Sequence, residues 1–284
     1  MIINTNNFNA NCISNNSINS IGIFDSGLGG INVLSKLKKE FPNINYYYFA
    51  DNKNSPYGKK TDKEIFDFSI KIIYYLIEMN VDIIIVACNT ASSCLNKFKH
   101  KINIKIPIIG IIYFGIKEFL ELSKENEKCA VICTPLTQKN NSYNNCLNLE
   151  FGINENKFIH ISCSEFINYI EKGIFYDERL IKLTQFYFKD IKNNSNIKYI
   201  IYGCTHYPLI NKNCTEVIYN KFNRYDIKFI DPSNYLLKIL KRYISKSNNI
   251  GISKFYYSKI DNNFIENVNT ILNEKINITY VNLK

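Results

Sequence analysis

The stretch Asp82-Ile83-Ile84-Ile85-Val86-Ala87-Cys88-Asn89-Thr90-Ala91 decides how the fold is read. Its apolar run, 83–87, is rich in β-branched residues and too short for a membrane span, so it has the character of a strand buried on both faces. It stops at Cys88-Asn89-Thr90, a polar strand end. Upstream, 65–79 is amphipathic with helical spacing, and 46–50 is a strand ended by Asp51 and the turn-rich Pro56-Tyr57-Gly58. Further upstream, the β-rich run 21–24 leads into Asp25-Ser26-Gly27-Leu28-Gly29-Gly30. Val33, Leu34, Leu37 and Phe41 then fall at helical intervals over 31–41. Strand, loop and helix alternate, which predicts an α/β fold with a mostly parallel sheet flanked by helices.

The second half repeats the scheme. A strand at 129–133 ends in Thr134-Pro135, and a strand at 198–202 ends in Gly203-Cys204-Thr205-His206. Asp25 precedes Cys88 by 63 residues and Thr134 precedes Cys204 by 70, so each half carries a polar strand end followed by a cysteine at a later strand end. The expectation is two pseudo-symmetric lobes with the active site between them. Residues 1–20 form a flexible extension, 21–115 a first lobe rejoined by 230–284, and 116–229 a second lobe.

Hydrophobic residues make up 46% of the 284 residues and charged residues 21%, the balance of a globular chain with a real core. The formal charge of +10 is carried by scattered lysines with no ladder of interleaved aromatics. Together with abundant Asn, Ile, Lys, Tyr and Phe, this reflects an AT-rich coding bias, and no nucleic-acid partner is expected. Residues 1–20 are polar and Asn-rich, without the basic start and apolar core of a secretory signal. No membrane association is expected, and the expected location is the cytoplasm. Nine cysteines include no C-x-x-C pair, so neither a zinc site nor a disulfide framework is implied.

Cys88 and Cys204 are picked out by position. In open α/β sheets ligands bind beyond the carboxyl ends of strands, where free N–H groups and helix dipoles favour a thiolate. Each cysteine alone could simply fill a tight turn. Two of them in matching places suit stereoinversion next to a carboxylate, which needs a base on one face and an acid on the other. His206 lies two residues after Cys204, and Asp25 could orient Cys88 or share its proton. The Asp25–Gly30 run lacks nucleotide-loop spacing and a Walker lysine, but its glycines could let amides approach a substrate carboxylate. His100 and His160 are isolated and read as structural or surface residues. No cluster has metal-ligand spacing and no lysine has a Schiff-base context, so no cofactor is expected.

The segments Phe24-Asp25-Ser26-Gly27-Leu28-Gly29-Gly30, Ser55-Pro56-Tyr57-Gly58, Ala87-Cys88-Asn89-Thr90-Ala91-Ser92 and Gly203-Cys204-Thr205-His206-Tyr207-Pro208-Leu209 resemble those of glutamate racemases in order and approximate spacing. The resemblance runs from about residue 21 to 244. It implies a cofactor-independent isomerase that supplies D-glutamate for peptidoglycan, hence for cell-wall biogenesis and cell shape. It implies that Cys88 takes the alpha proton from D-glutamate and Cys204 from L-glutamate. Asp25 would assist Cys88, while His206 and Glu171 would assist Cys204. Asp25, Ser26, Tyr57, Gly58, Asn89, Thr90, Thr134, Thr137, Thr205 and His206 would surround the substrate. A homodimer and activation by a UDP-linked muramoyl precursor, associated with the 1–20 extension, are also implied. Two positions depart from the family pattern: Tyr113-Phe114 stands where many members have Glu-Pro, and Cys133 replaces a common glycine. An aspartate or broad-range racemase remains an alternative, as does a Cys204–His206 thiol hydrolase or transferase for which Cys88 is dispensable. A non-catalytic binding protein would tolerate loss of both thiols.

Overall fold

The computed structural model describes residues 18–98, 101, 104–245 and 247–283. The chain builds two separate parallel sheets. The first contains β1 (Ser20–Asp25), β2 (Asn45–Ala50), β3 (Ile83–Val86), β4 (Ile108–Gly110), β9 (Ser253–Tyr257) and β10 (Ile278–Tyr280), in the order β10-β9-β2-β1-β3-β4. The second contains β5 (Lys128–Cys133), β6 (Phe158–Ser162), β7 (Ile197–Gly203) and β8 (Lys228–Ile230), in the order β6-β5-β7-β8. Every strand pair in both sheets is parallel. The Ile-Ile-Ile-Val run is strand β3, with all four residues buried as a central strand covered on both faces requires.

Helices supply the cover. Between β1 and β2 lies α1 (Gly29–Glu40), between β2 and β3 lies α2 (Asp62–Glu78), and α3 (Asn89–Lys97) follows β3. The chain enters the second sheet through α4 (Ile112–Leu122) and passes through α5 (Pro135–Lys139) and α6 (Ser142–Phe151). The short α7 (Glu165–Ile170), then α8 (Glu178–Tyr187), α9 (Lys189–Lys192) and α10 (Asn211–Thr215) complete that half. It returns through α11 (Pro232–Leu240), which packs on α4, and α12 (Asn262–Leu272) packs on α1. One hydrophobic cluster takes in residues of both sheets, including Ile85, Phe114, Ile132, Tyr202 and Leu236. Two further clusters back the outer faces, one per sheet.

Two starts differ from the sequence reading. Helix α2 begins at Asp62 rather than near 65 because Thr61 and Glu64 form a capping box: Thr61 Oγ1 accepts from the Glu64 N–H at 3.3 Å, and Glu64 accepts from the Thr61 N–H at 2.9 Å. The fold also begins before residue 21. Ile18 is buried and its N–H donates to the Tyr243 carbonyl, while Ser20 opens β1. Residues 1–17 of the expected extension, and His100, lie outside the described residues. Among the described residues no helix is long and apolar enough to cross a membrane.

Candidate active site

The carboxyl ends of β1 and β3 in one sheet and of β5 and β7 in the other converge on a single small cavity. It is lined by Ser26, Ser55, Pro56, Tyr57, Gly58, Cys88, Asn89, Thr90, Thr134, Ile167, Cys204, Thr205 and His206, and its volume is ≈ 20 Å³. That is room for about one water.

Cys88 is the N-cap of α3, and its Sγ accepts from the Ala91 N–H at 3.5 Å. The Ser26 hydroxyl lies 3.8 Å from the same sulfur. Burial and then the nearby Asp25 carboxylate push the Cys88 thiol up to about 12, against the help of Ala91 and Ser26. At that value the thiol carries its proton at neutral pH.

Cys204 faces the cavity from the other lobe. Its Sγ is 3.6 Å from His206 Nδ1, and His206 Nε2 is 2.7 Å from Glu171 Oε1. Burial alone would lower the imidazole, but the bonds to Cys204 and Glu171 outweigh it and hold His206 well above the ordinary histidine value. Burial likewise works against ionised Glu171, and the His206 bond overrides it, holding the carboxyl below its ordinary value. The second thiol therefore sits beside an imidazolium oriented by a carboxylate.

Asp25, assigned from sequence to Cys88, stands one layer behind the wall. It is fully buried, accepting from the Gly27 N–H at 2.9 Å and from the Thr205 hydroxyl of the other lobe at 2.9 Å. Burial raises its pKa, with His206 opposing. Ser26, not Asp25, makes the hydrogen-bond contact with the Cys88 sulfur. Thr137 is also a layer back, its hydroxyl 3.0 Å from that of Thr134, which in turn lies 3.1 Å from the Thr90 hydroxyl across the lobes. Asn89 accepts from the Tyr143 hydroxyl at 2.8 Å, which fixes the amide and leaves its N–H₂ as the unused end. The lining residues include no lysine or arginine. Hydroxyls, one amide, backbone and the charged His206 are what a carboxylate would meet. His160 accepts from the Tyr143 N–H at 3.2 Å and is pushed down to about 4 by burial, a neutral packing residue beneath Tyr143.

Two glycines of the Asp25–Gly30 run have a packing use. Gly29 and Gly30 form the first turn of α1, and their bare Cα atoms let the helix press on the site: a Cβ on Gly29 would lie 2.3 Å from Thr205 Oγ1 and one on Gly30 2.4 Å from Asp25 Cβ. Gly29→Ala is therefore expected to cost about 1–3 kcal/mol of stability, read from urea unfolding, and to displace His206 enough to depress activity. Wild-type stability and turnover would show that α1 does not brace this loop. Ser55, Pro56 and Ile167 line the cavity without having been assigned from sequence. Ser55 and Pro56 were visible as part of a motif, whereas Ile167 had no signal beyond an apolar position in a short helix.

Two thiols at strand ends of the two sheets face one cavity, and a model of the Asp/Glu/Hydantoin racemase family matches residues 37–239. The chain belongs to that family. Among its relatives it is 32% identical to glutamate racemase 3 of Caldanaerobacter subterraneus over 90% of this chain and 92% of the relative. It is 37% identical to the glutamate racemase of Clostridium botulinum over 80% of this chain and 84% of the relative. In structure it resembles the Francisella tularensis glutamate racemase crystallised with D-glutamate, at a TM-score of 0.79 and 28% identity, covering 93% of this chain and 97% of that one. The α/β class and the two parallel, helix-flanked sheets read from sequence agree with this likeness.

Proposed function

We propose that this protein interconverts L- and D-glutamate by two-base proton transfer at the alpha carbon, supplying D-glutamate for peptidoglycan. The observation that carries the reading is that Cys88 and Cys204 line one cavity from different sheets. The alpha carbon can then lose its proton to one face, pass through a planar carbanion, and be reprotonated on the other. With L-glutamate bound, Cys204 as thiolate takes the alpha proton while the Cys88 thiol delivers its own to the opposite face. The product is D-glutamate, with Cys204 protonated and Cys88 ionised, and the reverse reaction runs the same steps backward. The developing charge on the substrate carboxylate is met by donors already in place, among them the hydroxyls of the Thr90–Thr134 pair and the Asn89 amide. Asp25, Thr137, Glu171 and the loop holding Tyr57 and Gly58 support that wall.

The test is exchange in heavy water. Wild-type protein should wash solvent deuterium into the alpha position of both glutamate enantiomers and bring them to equal amounts. Inversion of aspartate alone would move the assignment to an aspartate racemase, and no exchange with either amino acid would end it. A cytoplasmic homodimer, and acceleration by a UDP-linked muramoyl precursor acting through 1–20, belong to the same reading. Molecular size in solution and addition of the precursor to the same assay decide those two points.

A further inference from the structure

We propose that Asp51 is a positioning residue for this site: through Tyr57 and Asn54 it holds the 54–58 loop against Thr134 and so sets how tightly the cavity binds its substrate. The proposal rests on the glutamate-racemase reading above. Asp51 directly follows β2 and is 2% exposed, and its N–H donates to the Asp25 carbonyl at 2.9 Å, so it is pinned to the strand end that opens the site. Its Oδ2 accepts from the Tyr57 hydroxyl at 2.6 Å, and both carboxylate oxygens lie 3.0 Å from Asn54 Nδ2. Among the described residues no lysine, arginine or histidine forms an ion pair with it.

A buried carboxylate met only by neutral donors is costly unless those bonds are strong. A hydroxyl given to a carboxyl oxygen at this length is a short, strong hydrogen bond. The bond also determines what the Tyr57 hydroxyl does: it is taken up by Asp51. Ser55, Pro56, Tyr57 and Gly58 together make one wall of the cavity. The wall bears directly on the opposite lobe, since a Cβ on Gly58 would lie 3.0 Å from Thr134 Cβ. Thr134 in turn meets Thr90. A line of contacts thus runs from Asp51 through Tyr57 and Gly58 to Thr134 and Thr90, with no hydrogen bond to either sulfur among those the described residues make. Loosening it should weaken substrate binding in ground and transition state alike, which raises KM and spares kcat.

The experiment is steady-state racemisation of L- and D-glutamate by wild type, Tyr57→Phe, Asp51→Asn and the double variant, with melting temperature and the pH profile of kcat recorded alongside. Each single change should raise KM by roughly tenfold, with kcat and its pH profile near wild type. The double variant should be no worse than the worse single, because both remove one interaction. If Asp51→Asn does not fold, Tyr57→Phe, which deletes one hydroxyl and keeps the ring, still decides the matter. Wild-type KM in Tyr57→Phe, with or without a lowered melting temperature, overturns the proposal, as does a fall in kcat with KM unmoved or an additive double variant. A wild-type protein that turns over no glutamate overturns the functional reading and this proposal with it.

Discussion

Cys88→Ser and Cys204→Ser should each lower racemisation by roughly 10²–10⁴-fold, the range lost with a positioned acid or base, while folding and melting stay near wild type. The substitution exchanges one atom for a smaller one, and both sulfurs are buried against the cavity. What it removes is acidity: an alcohol is a far poorer proton donor and its anion is rarely populated at neutral pH. If the two thiols serve opposite faces, neither can stand in for the other, and inversion fails in both variants.

The two replacements should nevertheless differ in what survives. Cys88 sits where burial and Asp25 keep the proton on sulfur, whereas Cys204 has an imidazolium in contact. The two sides of the site therefore differ, with a protonated thiol at Cys88 and an imidazolium in contact with Cys204. Cys88→Ser retains the Cys204–His206 pair, so slow deuterium wash-in should persist for L-glutamate alone, without inversion. Cys204→Ser should leave only a trace with D-glutamate. Equal residual exchange of both enantiomers in either variant would show one thiol reaching both faces. Full activity without Cys88 would instead favour chemistry carried by Cys204 and His206 alone.

These assignments were legible in sequence because they rest on features a strand end cannot hide. Ile83 to Val86 reads as a buried strand from composition, and whatever follows such a strand in a parallel sheet lies at its carboxyl end. Cys88, Cys204 and His206 were therefore placed by local pattern. What sequence could not supply is which polar group meets which. Asp25 and Ser26 are neighbours, yet their side chains part: Asp25 bonds to Thr205, 180 residues away, and Ser26 meets the sulfur. That choice depends on how the lobes close. Asp51 looked like a turn residue because its partners, Tyr57 and Asn54, are fixed only once the loop folds back on it. The capping box at Thr61 was readable and sets the start of α2. The use of Gly29 was not, since it is defined by an element that arrives from the other sheet.

Glu171→Gln should reduce turnover by about 10²-fold at neutral pH, with the loss shrinking as the pH falls. The carboxylate is 2.7 Å from His206 Nε2, and glutamine keeps the shape and an acceptor while removing the charge. His206 is raised despite its burial because Cys204 and Glu171 both favour the imidazolium. Without the Glu171 charge one of those two supports is gone, so His206 loses its proton at lower pH and the neutral ring is commoner at pH 7. Acidifying restores the proton and with it part of the activity. Stability follows the same linkage. The raised His206 contributes fully below its ordinary value of 6.5 and loses its contribution as pH rises through the higher folded value. The lowered Glu171 contributes fully above its ordinary value of 4.5 and loses its contribution as pH falls through the lower folded value. Wild type should therefore exceed Glu171→Gln in melting temperature most clearly between those two ordinary values, with the gap closing toward strong acid and strong base. A rate profile shifted to lower pH together with that window places Glu171 behind His206. A uniform loss at every pH, with no window in melting temperature, would show that the carboxylate matters for shape rather than charge, and the Cys204 side would need another source for its imidazolium.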